Sequence, residues 1–129
     1  MIPFWANWVG LPWEWGADPR NGKAACCFRS TQAVREQLRL PWPSDRMTDW
    51  YRIAKAGRWG TLRQEWSQFT RETDEPQAGT LLRLDNEDLS FGVGALVTPD
   101  AALIVRHNGR LHVLPTKHWS SLKLYEVRE

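Results

Sequence analysis

Hydrophobic and polar positions divide this chain into three stretches of different period. Over residues 1–23 no period holds, because Pro3, Gly10, Pro12, Gly16, Pro19 and Gly22 interrupt every candidate helix or strand. Trp5, Trp8, Trp13 and Trp15 fall in this irregular stretch and must pack on the domain or on a partner. From Lys23 to Leu40 the period becomes helical, which predicts a helix over 24–40 ended by Pro41. At about 100° per residue, Cys27, Thr31, Val34 and Leu38 share its apolar face. Arg29, Gln32, Arg35, Glu36 and Arg39 fall opposite, and Cys26 lies at the edge with Ser30 and Ala33, where a groove could reach it.

Two further helices follow the same logic. Ser44 is a good N-cap for a helix over 45–56, whose stripe is Met47, Trp50, Tyr51 and Ala54 and whose stop is Gly57. Thr61 and Gln64 fit a capping box for a third helix over 62–73, with Leu62, Trp66 and Phe69 as its buried stripe.

From Thr80 onward the period shortens to that of strands. T-L-L-R-L, F-G-V-G-A-L-V-T, A-L-I-V-R-H, R-L-H-V-L and L-K-L-Y-E-V read as strands in succession. Asn108-Gly109 predicts a type I′ hairpin turn. The expected fold is α+β in one domain over 1–129. It comprises an irregular Trp-rich segment over 1–23, a helical half over 24–73 and an antiparallel β meander over 80–128.

Composition changes this picture in one respect. A net charge of +2 over 129 residues argues for no particular partner. Nine tryptophans in so short a chain do, because Trp is enriched at binding surfaces as well as in cores. The N-terminal ten residues lack the basic region and apolar run of a secretory signal, and no apolar stretch approaches a membrane span. Adjacent cysteines disfavour a mutual disulfide, so Cys26 and Cys27 read as free thiols made in a reducing compartment.

A cysteine opening a helix is placed for thiolate chemistry, since helix N-terminal amides favour the anion. The segment W-V-G-L-P-W-E-W-G, Cys26 at a helix start, G-T-L-L and V-G-A-L-V together resemble the NlpC-type cell-wall peptidases, thiol enzymes of papain-like fold. The versions in phage tail-tip proteins are closest in look. So is a phage-encoded relative of unassigned function whose helix starts Asp-Cys-Cys. Pro12-Trp13 and Arg35-Glu36 match features of the phage versions.

The resemblance implies Cys26 as nucleophile and a His heading the next core strand as its base. That position falls on Gly92, or on Ala101 in the other register, and neither is a histidine. The Asp and the small residue that flank the nucleophile are here Ala25 and Phe28. His107, His112 and His118 all lie late in the chain, and His107 and His112 read most simply as strand residues beside a turn.

The expectation is a fold without its hydrolytic dyad, Cys26 being a vestigial nucleophile position and Gly92 a lost base position. The expected role is a structural or assembly component of a phage tail tip or baseplate, made in the host cytoplasm and carried in the virion. It would bind hub, distal-tail or tail-fibre proteins through Trp5, Trp8, Trp13 and Trp15, with no cofactor, metal or nucleic acid. The alternative is an active thiol peptidase or amidase cutting peptidoglycan cross-links, with His107 or His112 recruited as base. A metal site on Cys26, Cys27 and two histidines has the ligand types but not the C-x-x-C spacing. An arginine patch of Arg29, Arg35, Arg39, Arg46 and Arg52 is diluted by Glu36, Asp45 and Asp49. Glu14 and Asp18 read as solvated loop acids.

Overall fold

Phe91–Thr98 alternates large and small apolar residues, and this suits a strand covered on both faces. In a computed structural model of the chain, which describes residues 2–42, 49–118 and 122–128, it forms β3, a central strand of the sheet. β3 pairs with β2 (Leu81–Asp85) on one side and β4 (Ala101–Ile104) on the other. With β1 (Thr70–Thr73), β5 (His112–Pro115) and β6 (Lys123–Val127) the six strands run antiparallel in the order β1-β6-β2-β3-β4-β5. Three α-helices precede or abut the sheet among the described residues: α1 (Cys27–Gln37), α2 (Trp50–Lys55) and α3 (Trp59–Phe69). The fold is therefore α+β. None of the described helices is long and apolar enough to cross a membrane.

The sheet departs from a simple meander in two places. β6 does not continue beyond β5 but inserts between β1 and β2, with Tyr125 opposite both Glu72 and Leu81. Tyr125 is buried there, edge-on to Trp66 at 5.1 Å. β1 itself occupies residues expected to end the third helix. α3 stops at Phe69, the Thr70 hydroxyl donates to the Trp66 carbonyl at 2.6 Å, and the chain extends from Thr70 onward. The expected capping box does not form, because α3 starts at Trp59 and puts Thr61 and Gln64 inside the helix. Gly57, at φ 73°, follows α2 as expected, while Ser44 and Met47 lie outside the described residues.

α1 starts three residues later than expected and is buried almost all round. Ala24 to Cys26 are not helical. Ala25 donates to the Pro12 carbonyl at 2.9 Å and accepts from Glu14 at 3.1 Å, so the N-terminal segment runs alongside it. The helix ends at Gln37, before Pro41 can act, through Arg39 at φ 58° and a bond from Leu40 N–H back to the Arg35 carbonyl. Gln32 and Arg35, expected in solvent, are buried. Arg35 donates to the carbonyls of Pro41 at 2.8 Å and Gly79 at 3.1 Å, joining α1 to the start of β2. The polar face is covered because the turn Pro19–Asn21 lies against it, with Arg20 bonded to Glu36 at 2.6 Å. Asp18 is not a free loop acid: it accepts from Arg20 N–H at 2.9 Å and faces Arg29 at 3.7 Å.

The hairpin is also longer than Asn108-Gly109 predicts. β4 and β5 last pair at Ile104 and His112, and the turn runs Arg106 to Gly109 with Asn108 alone at φ 59°. The cause lies in the N-terminal segment. Gly10 and Leu11 exchange bonds with Leu111, and Trp13 N–H reaches the Gly109 carbonyl at 3.0 Å. Residues that would zip the hairpin shut instead hold the first residues of the chain.

Burial follows the two-residue alternation of the strands. Phe28, Trp50, Leu62, Trp66, Phe91 and Tyr125 form an aromatic core between helices and sheet. Trp8, Ala33, Val34, Ala95, Leu103 and Leu111 form a second core under the N-terminal segment. Leu82, Leu96, Ala102 and Ile104 collect on the other face of the sheet.

Candidate functional site: a thiol in a tryptophan-walled cleft

The N-terminal segment, the start of α1 and the ends of β2, β3 and β4 surround a cleft of about 910 Å³. Trp13, Trp15 and Trp59 wall it, and Cys27, His107 and Gly92 open onto it. Three of these rings form one stack. His107 lies 4.0 Å from Trp13 at 29°, and Trp15 stands edge-on to both, at 4.9 Å from Trp13 and 5.7 Å from His107. The bond from Trp13 N–H to Gly109 fixes this stack, since it ties the tryptophan to the turn that carries His107.

The two cysteines take roles opposite to those expected. Helical spacing from Ala24 puts Cys26 at a groove edge and Cys27 in the core. The structure buries Cys26 completely, at 0% exposure, and leaves Cys27 half-buried at the cleft. The reason is the late helix start. Cys26 is the N-cap, with extended φ −111° and ψ 143°, so helical spacing does not govern its direction. The residue expected at the nucleophile position is therefore sealed off from the cleft.

The thiols are electrostatically one unit. The Cys27 S–H directed at the Cys26 sulfur, assisted by backbone N–H groups of Gly16, Arg29 and Phe28, outweighs burial and brings the Cys26 thiol down to about 6. The same contact, together with burial, pushes the Cys27 thiol well above its ordinary value. The arrangement sets two adjacent thiols at the positive end of a helix, which favours the anionic form of the N-cap thiol.

No family model, curated protein or solved structure matches this chain. What the cleft can do must be read from its own residues.

Other sequence candidates separate clearly. Trp8 is 6% exposed in the core, which removes it from the partner anchors, and Trp5 is half-buried against the same core. Trp13 and Trp15 stay available at the cleft. His112 sits on β5 with Nδ1 2.9 Å from the Arg110 carbonyl, and His118 closes the turn Thr116–His118. Arg35 leaves the arginine patch because it is buried, and Arg46 and Asp45 lie outside the described residues. Among the described residues no three of His, Cys, Asp and Glu converge as a metal cage. Trp59 is not singled out from the sequence, where it is one apolar residue ahead of the helix expected over 62–73. Only the fold carries it across to the cleft, beside Phe91 at 5.4 Å.

Proposed function

We propose that this chain is a binding module rather than a hydrolase. It takes a segment of a partner protein into the Trp13–Trp15–Trp59 cleft, as a structural or assembly component of a phage tail tip or baseplate. One observation carries the binding reading. The histidine of the cleft is held in an aromatic stack, and among the described residues no hydrogen bond joins it to either sulfur. A general base must reach the proton that it takes. Gly92, where the resembled peptidases keep that base, brings no side chain to the cleft. Large aromatic walls supply contact area at small entropic cost, which suits capture without cleavage. The tail-tip setting and the papain-like ancestry rest on the sequence resemblance.

The test pairs two assays on the full chain. Purified peptidoglycan incubated with wild type or Cys27→Ala is expected to release no muropeptides in either case. Isolated hub and distal-tail proteins are expected to bind wild type and to lose about tenfold or more in affinity with Trp13→Ala. Cleavage by wild type that Cys27→Ala abolishes would establish the second reading, a thiol amidase of peptidoglycan cross-links. That reading draws on Cys27 and His107 sharing one cleft.

A further inference from the structure

We propose that the cleft is a slot for a strand, in which an extended, acidic segment of the partner pairs its backbone with the unzipped ends of β3 and β4. This rests on the binding reading above and adds the conformation and charge of what is bound.

The backbone bonds of the sheet locate the slot. Successive residues of β3 face its two neighbouring strands in turn. Leu96 N–H donates to the Thr80 carbonyl at 2.8 Å, and the Leu96 carbonyl accepts from Gly79 at 2.7 Å. Gly94 and Gly92 therefore also face β2, opposite Leu82 and Leu84, while Phe91, Val93 and Ala95 face the other way. Ala95 meets Leu103 of β4, and there the pairing stops, although β3 runs on beside β2 as far as Phe91. By the same register Val105 falls opposite Val93 and His107 opposite Phe91. Among the described residues no backbone hydrogen bond joins either couple. The N-terminal segment accounts for the parting. It holds the chain beyond β4 through the stack of His107 on Trp13 and the bond from Trp13 N–H to Gly109.

These unmatched groups lie at interior positions. Phe91, Val93 and Val105 are 2%, 2% and 3% exposed, and all three border the cleft. Buried backbone amides and carbonyls are nearly always paired, so a row of them without a ladder partner calls for one from the cleft. An extended polypeptide supplies it, because it turns an amide and a carbonyl to one side at every second residue. A flat aromatic or sugar ligand would cover the tryptophans and leave the row unmet.

The charges at the opening choose among polypeptides. Asp85 is taken up by Arg63 at 3.2 Å and Arg83 at 3.0 Å, and Asp88 accepts from the Ser90 backbone at 3.1 Å. Lys123 has only a contact with Glu72 at 3.8 Å, both side chains being exposed. Arg106 has no ion pair among the described residues and also borders the cleft. The surplus is cationic, which favours acidic side chains on the bound strand.

Two measurements on the full chain test this. Hydrogen exchange read by NMR examines the empty slot: the Phe91 and Val105 amides should exchange about a hundredfold or more faster than those of Gly94 and Leu96. A random-peptide library is then selected on wild type, and the selected peptides are remade with a single N-methyl group at each amide in turn. The peptides should carry an acidic excess and protect the Phe91 and Val105 amides on binding. They should bind Trp13→Ala about tenfold or more weakly, and N-methylation at every second amide should weaken them by a similar factor, with little effect at the amides between. Slow exchange of Phe91 and Val105 in the free protein would reveal a closed ladder and overturn the proposal. Peptides that need Trp13 but show no alternation, or no acidic excess, would overturn it and leave the binding reading standing. The absence of any Trp13-dependent peptide would overturn both.

Discussion

Two glycines in one strand offer a stringent test of the packing described above. Gly92 and Gly94 both lie in β3, two residues apart, so their side-chain positions point to the same face of the sheet. A Cβ on Gly94 would lie 2.8 Å from the Leu103 carbonyl oxygen, 3.2 Å from Leu82 Cδ1 and 3.3 Å from Ile104 Cγ1. The first contact is with backbone, in the strand paired with β3, and cannot rotate away. Carbon–oxygen contacts settle at about 3.3 Å or more, so β3 and β4 would have to part by about half an ångström. Overpacking of this kind costs about 1–3 kcal/mol, while the loss of glycine freedom in the unfolded chain returns about 0.4–1 kcal/mol. Gly94→Ala should therefore destabilise by about 1–2 kcal/mol. A Cβ on Gly92 meets nothing within 4 Å. Gly92→Ala has only the unfolded-state effect and should stabilise by about 0.4–1 kcal/mol. Urea denaturation at 25 °C reads both, and a difference of about 2 kcal/mol corresponds to roughly 6–10 °C in melting temperature for a chain of this size. Equal shifts for the two variants, or a stabilised Gly94→Ala, would show that β3 and β4 are not packed as described.

Three further outcomes follow from other residues. Arg35→Ala strips donors from the buried carbonyl of Gly79 and the half-covered one of Pro41, and should cost about 1–3 kcal/mol in chemical denaturation. A loss under about 1 kcal/mol would mean that water replaces the guanidinium. Trp8→Ala should lower stability by about 3–5 kcal/mol, as for a core aromatic, while Trp13→Ala should do so far less and act on binding instead. The thiol pair makes stability depend on pH. Cys26 has a folded pKa below its unfolded value, so its contribution is full above the unfolded value near 9 and is lost as pH falls through about 6. Cys27, raised on folding, contributes in the opposite sense, fully below its unfolded value and lost as pH rises above it. Stability measured by denaturation should thus climb from pH 6 toward 9, then fall, and Cys26→Ala should flatten the climb.

Local pattern carried much of the fold. The alternation in Phe91–Thr98 marked β3 with its observed bounds, and Leu62, Trp66 and Phe69 marked the inward side of α3. The failures share one cause, which is contact between residues far apart in sequence. Gln32 and Arg35 look like a solvent face until the turn Pro19–Asn21 and the loop at Gly79 are laid over them. β1 reads as a helix end because its partner, Val127, lies 57 residues on by the numbering (127 − 70). The Asn108-Gly109 turn signal was overridden because Leu111 bonds to Leu11 rather than zipping the hairpin. In the site, the place of the two cysteines at a helix start was legible. Which thiol faces the cleft was not, since a helix starting at Ala24 and one starting at Cys27 aim Cys26 in different directions.

The placement of β6 has a consequence for how the protein is made. Its neighbours β1 and β2 emerge from the ribosome some fifty and forty residues before it, as the numbering of the three strands gives. Until β6 is delivered, both present an unmet row of backbone amides and carbonyls where it will lie, and nascent chains with open edges invite foreign strands. Translation must therefore reach Val127 before the sheet can close. A ribosome stalled a few codons short of β6 would release a chain with its helices formed and its sheet split in two, a natural client for chaperones.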